Sequence, residues 1–209
     1  MLRKKHNCGE TGIAAKSDPA GMGETQFMIE IRIHGRGGQG AVTSAEMIAL
    51  AAIEEQKYAQ GFPSFGPERR GAPVVAFARV DEKPIRLRSK IYHPDVAVVL
   101  DPTLLKILDP SQGLKPGGLL IINTTKSIQQ IKAEFGYQAR IATVDADLIA
   151  REELGLPITN TTMIGALVRA TGIVQLDSMI QPLQHRFGKG AERNVRALRR
   201  AFNETVLNN

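Results

Sequence analysis

The sequence has few of the residues from which redox and metal centres are built. It contains one cysteine, Cys8, and four histidines among its 209 residues. A single cysteine can form no internal disulfide and cannot supply the set of thiolates that an iron–sulfur cluster needs. The histidines are scattered and show none of the spacings typical of zinc ligands. We therefore expect no metal site in this chain.

Long apolar runs are also missing. No stretch approaches the roughly 20 apolar residues of a transmembrane helix, and the basic residues 1–6 are followed by no apolar segment of a secretory signal. Hydrophobic residues nevertheless make up 43% of the chain, which is typical of a globular protein. The composition predicts a cytoplasmic protein with no membrane partner.

The common catalytic motifs are absent as well. The sequence has no G-x-S-x-G, no cysteine inside the predicted domain, and no histidine and carboxylate paired in one motif. We therefore assign no catalytic residue to this chain, and its residues do not suffice for an independent catalyst.

A glycine-rich segment is the most informative feature that is present. Glycines 35, 37 and 40 match G-x-G-x-x-G between the alternating run 29–34 and an apolar helical pattern from Ala41. A strand, glycine turn and helix in this order direct free backbone N–H groups at an anion. No acidic residue follows the second predicted strand, where a dinucleotide site has one. Three interpretations stay open: a dinucleotide site, a partial anion or cofactor contact, and a purely structural turn. A P-loop is excluded because no G-K-[ST] follows.

Strand and helix patterns alternate along the chain after a flexible leader, residues 1–27. We predict one folded domain, residues 28–209, of the α/β class. It has a mostly parallel sheet with helices on both faces, a Rossmann-like three-layer sandwich, and a helical C-terminal part. The predicted strands are 28–34, 73–80, 85–88, 95–100, 118–123 and 140–144. The predicted helices are 41–56, 145–153, 161–171, 176–186 and 189–206, with a further helix beginning at Asp101-Pro102 and a loop over 58–70.

Two other segments are candidates for contacts with a partner or a ligand. The loop 61–73 carries Phe62 and Phe65 with prolines and arginines, which favours a partner surface, although both rings could instead fold back on the core of the chain. The segment 160–166 begins with Asn160, and either Thr159 or Asn160 could cap the helix that follows. Its free N–H groups could also lie at the carboxyl edge of the sheet, where ligands bind in open α/β folds.

The net charge is +6, and much of the excess lies in residues 186–200. Arg193, Arg196 and Arg200 form one stripe of a predicted helix. The stripe is compatible with a solvated face, or with docking to an acidic partner or a polyphosphate cofactor. Nucleic acid is the least favoured partner, because the chain has no Trp and three Tyr.

Taken together, three segments resemble one protein family. They are residues 34–42 (HGRGGQGAV), residues 62–73 (FPSFGPERRGAP) and residues 160–167 (NTTMIGAL). In order and spacing they resemble the gamma subunit of pyruvate:ferredoxin oxidoreductase and related 2-oxoacid:ferredoxin oxidoreductases. The likeness runs from about residue 28 to 205, and the leader lies outside it.

The resemblance implies a subunit of a multi-subunit enzyme, with pyruvate as the expected substrate. That enzyme converts a 2-oxoacid, coenzyme A and oxidised ferredoxin to acyl-CoA, CO2 and reduced ferredoxin. It uses thiamine diphosphate, iron–sulfur clusters and coenzyme A, none of which we expect this chain to bind alone. The implied partners are alpha, beta and ferredoxin-like delta subunits, with ferredoxin reached through the complex.

By position, the resemblance assigns a cofactor-flanking role to Gly35, Arg36, Gly37, Gly38, Gln39 and Gly40, with Arg70 and Asn160 as the next candidates. These residues would flank the coenzyme A and thiamine region, and direct contact with coenzyme A is a hypothesis. The alternative function is a free-standing Rossmann-like nucleotide-binding or regulatory module.

Overall fold

The computed structural model describes residues 28–64 and 70–208, and the predicted leader 1–27 lies outside them. A seven-stranded sheet in the order β2-β3-β1-β4-β5-β6-β7 forms its centre. The strands are Ile29–Arg36 (β1), Tyr58–Pro63 (β2), Pro73–Asp81 (β3), Val96–Val99 (β4), Leu119–Asn123 (β5), Arg140–Val144 (β6) and Val206–Leu207 (β7). β3 and β7 run opposite to the other strands, so the sheet is mostly parallel, as predicted.

Six α-helices accompany the sheet in the described residues. They are Ala41–Glu54 (α1), Ile128–Phe135 (α2), Ala146–Leu154 (α3), Asn160–Thr171 (α4), Ile180–Phe187 (α5) and Ala191–Glu204 (α6). A short 3-10 helix, Pro102–Lys106, follows β4. Asp101 caps it by accepting a hydrogen bond from the backbone N–H of Thr103. The predicted cap at Asp101 is confirmed, but the segment forms a 3-10 helix.

Apolar residues cover both faces of the sheet. Residues of α1, α3, α4, α5 and α6 pack with one face in the larger core. A smaller core on the other face joins β4, β5 and β6 to the 3-10 helix and α2. Strands β4 and β5 are buried throughout because both faces are covered, which explains their uninterrupted apolar sequences. The predicted three-layer α/β class is confirmed.

Two local predictions were wrong. Residues 58–63, predicted as loop, form edge strand β2, which pairs antiparallel with β3. Residues 85–88, predicted as a strand paired with 73–80, lie outside the sheet. β3 already has β1 on one side and β2 on the other, so no position beside it is left for a third strand.

Helix α1 approaches β2 very closely. A Cβ atom added at Gly61 would lie 2.6 Å from the backbone oxygen of Ala45 in α1, far inside any real contact distance. The helix face is itself built of small side chains, including Ala45 and Ala49, both buried. Only glycine at position 61 lets the helix backbone rest on the strand.

Phe62 is half-buried rather than fully exposed. Its ring centroid lies 5.4 Å from that of Phe77, and the Arg79 guanidinium lies over the ring at 5.3 Å. Phe62 therefore folds back on the chain, whereas Phe65 lies outside the described residues. Among those residues, no helix is both long and apolar enough to cross a membrane.

Candidate functional site

The glycine turn follows β1, the strand at which the order of strands in the sheet reverses. From β1 the chain passes through α1 to β2 on one side of the sheet, while β4 is the neighbour of β1 on the other side. The carboxyl ends of β1 and β4 are therefore adjacent, and the backbone N–H of Leu100 donates to the oxygen of His34 at 2.8 Å. Ligands of open α/β sheets bind in this kind of crevice.

Asp101 holds the turn together. One carboxylate oxygen, Oδ2, accepts from Arg36 Nε at 3.0 Å and from Gln39 Nε2 at 2.9 Å. The other, Oδ1, accepts from the backbone N–H and the hydroxyl of Thr103. Gln39 Oε1 in turn accepts from the backbone N–H of Arg36 at 2.7 Å. Arg36 and Gln39, on either side of the turn, are thereby bonded to Asp101, just after the carboxyl end of β4.

Asp101 is ionised across the physiological range. Its partial burial would raise the pKa of the carboxyl, but hydrogen bonds from Thr103 and Gln39 and the charge of Arg36 outweigh burial and hold the pKa below its ordinary value. The carboxylate charge is balanced by the Arg36 guanidinium. The crevice therefore presents no uncompensated negative charge from Asp101.

Arg36 is fully used within the chain. Besides Asp101, its guanidinium donates to the backbone oxygen of Gly71 at 3.0 Å and to the Thr103 hydroxyl at 2.8 Å. The backbone N–H groups of Gly37 and Gly71 also donate to Ala72 and Gly37, at 2.9 and 3.2 Å. Arg36 thus joins the glycine turn to the segment 70–72 and acts here as a positioning residue.

Arg70 borders this arrangement from an exposed position. Within residues 28–64 and 70–208, no acidic side chain pairs with its guanidinium. Its backbone neighbour Gly71 is the residue that contacts both Arg36 and Gly37. Of the two arginines predicted for the site, Arg70 is the one that keeps a cation available to a ligand.

Asn160 packs directly against the turn. A Cβ atom at Gly40, whose φ is +83°, would lie 2.8 Å from Asn160 Nδ2 and 3.2 Å from its Cβ. Asn160 is 4% exposed, and its Oδ1 is buried with no hydrogen-bond partner among the described residues. Gly40 and Asn160, both predicted for the site from the sequence, are therefore in contact in the structure.

Two helix N-termini meet at this contact. Neither α1, which follows Gly40, nor α4, which begins at Asn160, has a side-chain cap or an acidic residue in its first turn. The prediction that Thr159 or Asn160 caps α4 was wrong, since neither side chain makes the capping bond. The first N–H groups of both helices have no intrahelical partner, and both helix dipoles place positive charge here.

Asn123 is a residue of this edge that was not predicted from the sequence. It ends β5 and is 1% exposed. Its Nδ2 donates to the backbone oxygen of Leu100 at 2.9 Å, and its Oδ1 accepts from the N–H of Ala146 at 3.0 Å. Asn123 thus connects the end of β5 to Leu100, the residue before Asp101, and to the start of α3. A polar residue directly after the apolar run 119–122 was the available signal.

A buried histidine lies on β1 just before the turn. His34 is 6% exposed, and its Nε2 accepts from Arg32 Nε at 3.0 Å. The neutral ring therefore carries its proton on Nδ1, which is buried without a partner in the described residues. Burial, assisted by the Arg32 charge, lowers the pKa of His34 to about 4.

Two of the three arginines of the basic stripe, Arg196 and Arg200, are paired inside the chain, while Arg193 is exposed and has no acidic partner among the described residues. Arg196 contacts Glu153 at 3.1 Å, and Arg200 contacts Glu204 at 2.7 Å and also Glu152. Arg199 pairs with Asp177 at 3.0 Å. These pairs favour the interpretation of the stripe as a solvated face packed beside α3.

A groove of about 870 Å³ opens elsewhere, at the amino ends of β5 and β6. None of the site residues predicted from the sequence lines it. We therefore locate the candidate site by its helix N-termini and hydrogen bonds rather than by concavity.

Known proteins with similar sequences and structures agree on a family. The profile of the family described as pyruvate ferredoxin/flavodoxin oxidoreductase matches residues 30–204. The chain is 54% identical over 182 residues to the pyruvate/ketoisovalerate oxidoreductases common subunit gamma of Thermococcus kodakarensis. That match covers 86% of this chain and 98% of the relative. It is 49% identical to the pyruvate synthase subunit PorC of Methanothermobacter thermautotrophicus, covering 85% of this chain and 96% of the relative.

A solved structure supports the same assignment. The pyruvate oxidoreductase subunit PORC of Thermotoga maritima superposes with a TM-score of 0.78 at 40% identity, covering 88% of this chain and all of that one. The similarity thus spans sequence and fold over nearly the whole length of these relatives. The chain belongs to the pyruvate ferredoxin/flavodoxin oxidoreductase family, in its gamma-subunit branch.

Proposed function

We propose that this chain is the gamma subunit of a multi-subunit 2-oxoacid:ferredoxin oxidoreductase, with pyruvate as its substrate. The complex forms acyl-CoA, CO2 and reduced ferredoxin from a 2-oxoacid, coenzyme A and oxidised ferredoxin. One observation carries this proposal: the 54% identity to a gamma subunit across 98% of that subunit's length.

The proposal assigns thiamine diphosphate and the iron–sulfur clusters to the other chains, as alpha, beta and delta subunits. Within residues 28–64 and 70–208, no group of three His, Cys, Asp or Glu side chains could hold a metal ion. This chain then contributes to catalysis by shaping the shared site.

The candidate site suits the phosphates of coenzyme A. Two uncapped helix N-termini supply N–H donors and positive dipole ends, and both first turns are free of acidic side chains. Arg70 adds an exposed cation at the rim. Coenzyme A supplies the thiol that accepts the acyl group, while this chain binds and orients its phosphates through the free N–H groups of residues 41–43, at the start of α1, and through Arg70. Arg36, Gln39 and Asn160 act by holding the turn.

The Arg70→Ala variant tests this assignment in the reconstituted complex. Loss of a charge-assisted contact to phosphate should raise the apparent KM for coenzyme A about tenfold. We expect the KM for the 2-oxoacid to stay unchanged. The matched control is Arg186→Ala, which removes an exposed arginine on α5, a helix that contributes no residue to the turn. An unchanged coenzyme A requirement in a fully assembled complex would reject the contact.

Assembly itself is tested separately by purifying the protein under native conditions. The proposal requires that iron-containing subunits copurify with it. A colourless, stable monomer that binds NAD(P) would instead establish the free-standing nucleotide-binding module.

A further inference from the structure

A short segment after β3 is fixed on the sheet without belonging to it. We call residues 82–92 the basic arm. Its start is held by Asp81 Oδ1, which accepts from the backbone N–H of Lys83 at 3.0 Å. Its far end is held by Arg79, which donates to the oxygen of Ser89 at 2.8 Å, and by Ile91, which is 3% exposed. The arm is therefore anchored at both ends.

The outer side of the arm is positively charged. Arg86, Arg88 and Lys90 are all exposed. No acidic side chain pairs with these three cations in the part of the chain that the structure describes. Three of the four arginines of α6, by contrast, find acidic partners within the chain: Arg196, Arg199 and Arg200. The arm thus keeps an uncompensated positive strip.

The arm also exposes apolar side chains and backbone. Leu87, between two arginines, is 48% exposed, and Tyr92 is 67% exposed. The alternation Ile85-Arg86-Leu87-Arg88 is typical of a strand, yet β3 has both its neighbours already. Among the described residues, the backbone N–H and C=O groups of 86–88 therefore have no hydrogen-bond partner. Unpaired backbone with a strand-like sequence is a template for another strand.

We propose that the basic arm docks an extended, acidic segment of another subunit of the oxidoreductase by strand addition. The backbone of 86–88 pairs with the partner segment, carboxylates of that segment meet Arg86, Arg88 and Lys90, and an apolar side chain covers Leu87. Backbone pairing and an apolar contact favour a polypeptide over nucleic acid, because a phosphate backbone offers neither. The proposal rests on the proposed function, since the partner is a chain of that complex.

Charge reversal at the arm tests the electrostatic half of the proposal. The Arg86→Glu/Arg88→Glu double variant should weaken assembly of the complex about tenfold or more, because like charges then face each other across the interface. The control is Arg186→Glu/Arg193→Glu, which reverses two exposed arginines of α5 and α6. Equal assembly of both double variants and the wild type would overturn the proposal.

Hydrogen–deuterium exchange of the assembled complex tests the strand. The amides of residues 86–88 should exchange at least about tenfold more slowly in the complex than in the isolated chain. Unchanged exchange in a complex that does assemble would overturn strand addition. Failure of the wild-type chain to assemble with any subunit would overturn the proposed function instead.

A photo-crosslinking residue in place of Leu87 identifies what the arm touches. An acidic peptide of another subunit is the expected product. A crosslink to a neutral or basic peptide, or to nuclease-sensitive material, would overturn the assignment of the partner.

Discussion

His34 shows how one buried side chain sets a pH limit on the whole fold. Its pKa of about 4 in the folded chain lies below the unfolded value near 6.5. Above pH 6.5 the ring is neutral in both the folded and the unfolded chain, so its titration does not change the free energy of unfolding. Between pH 6.5 and 4 the unfolded chain takes up a proton that the folded chain does not bind. The free energy of unfolding therefore decreases as the pH is lowered.

Acidification should therefore destabilise the protein through this residue. The pKa difference of about 2.5 corresponds to about 3 kcal/mol, lost progressively from pH 6.5 down to 4. His34→Gln keeps an acceptor for Arg32 and cannot titrate, so this part of the pH dependence should disappear. Urea unfolding at pH 7 and pH 5 measures the effect. His185→Gln, at an exposed position on α5, is the matched control for the substitution itself.

The contact between Gly40 and Asn160 should make the stability of the fold sensitive to a side chain at position 40. Gly40→Ala places a methyl group 2.8 Å from Asn160 Nδ2 at a φ of +83°, whereas Gly38→Ala has a φ of +96° and open space around it. The left-handed backbone destabilises both variants by about 1 kcal/mol each. Gly40→Ala should lose about 1–3 kcal/mol more through overpacking. Equal losses in urea unfolding would contradict the close packing of the turn on α4.

At the scale of elements, the packing of α4 on α6 reverses an ordinary expectation. Replacing glycine by alanine inside a helix normally stabilises it by about 1 kcal/mol. At Gly165, however, the new Cβ would lie 2.3 Å from the backbone oxygen of Leu198 in α6. We expect Gly165→Ala to separate the two helices and to cost about 2 kcal/mol net, which lowers Tm by roughly 4–8 °C.

Calorimetry of two variants decides the point. Gly190→Ala is the control, because its Cβ would meet nothing closer than 4.0 Å. It should shift Tm by no more than about 3 °C, as expected of a change without a steric clash. A rise in Tm for Gly165→Ala would show that the helices do not touch at this point.

Elements with strong local patterns could be predicted from the sequence, and those decided by distant partners could not. The apolar runs of β4 and β5 and the alternation of β1 are local signals of strands. β2 was missed because Gly61 and Pro63 are unusual in strands, and only the close approach of α1 and the edge position explain them. Residues 85–88 have the pattern of a strand, but the position beside β3 is filled by β2.

The candidate site was predicted in the same partial way. The glycine pattern located the turn, and Asn160, a candidate taken from the family resemblance, lies in contact with Gly40. The role of Asp101 was recognised only as a cap, because its bonds to Arg36 and Gln39 join positions 65 and 62 residues apart. Sequence spacing alone does not reveal such contacts.

At the scale of the whole molecule, both cores and every described strand and helix lie within residues 29–207. Removing residues 1–27 should therefore leave Tm within about 1–2 °C of the full chain, because no buried contact among the described residues is lost. Circular dichroism melting measures this. Removal of residues 206–209 is the contrasting variant, since it deletes β7 and its pairing with β6, and it should lower Tm clearly. A large loss on removing 1–27 would show that the folded unit extends into that region.

The tight packing at Gly61 has a consequence for how such proteins are surveyed by mutation. Every missense change at this position adds a Cβ that would lie 2.6 Å from the backbone oxygen of Ala45. A saturation mutagenesis screen would therefore score Gly61 as intolerant as any residue of the glycine turn, although it lies on the face of β2 that α1 covers. Intolerance to substitution in this protein thus marks positions where two backbones touch as well as positions where a ligand binds. A screen distinguishes these two causes only when it measures folding and activity independently.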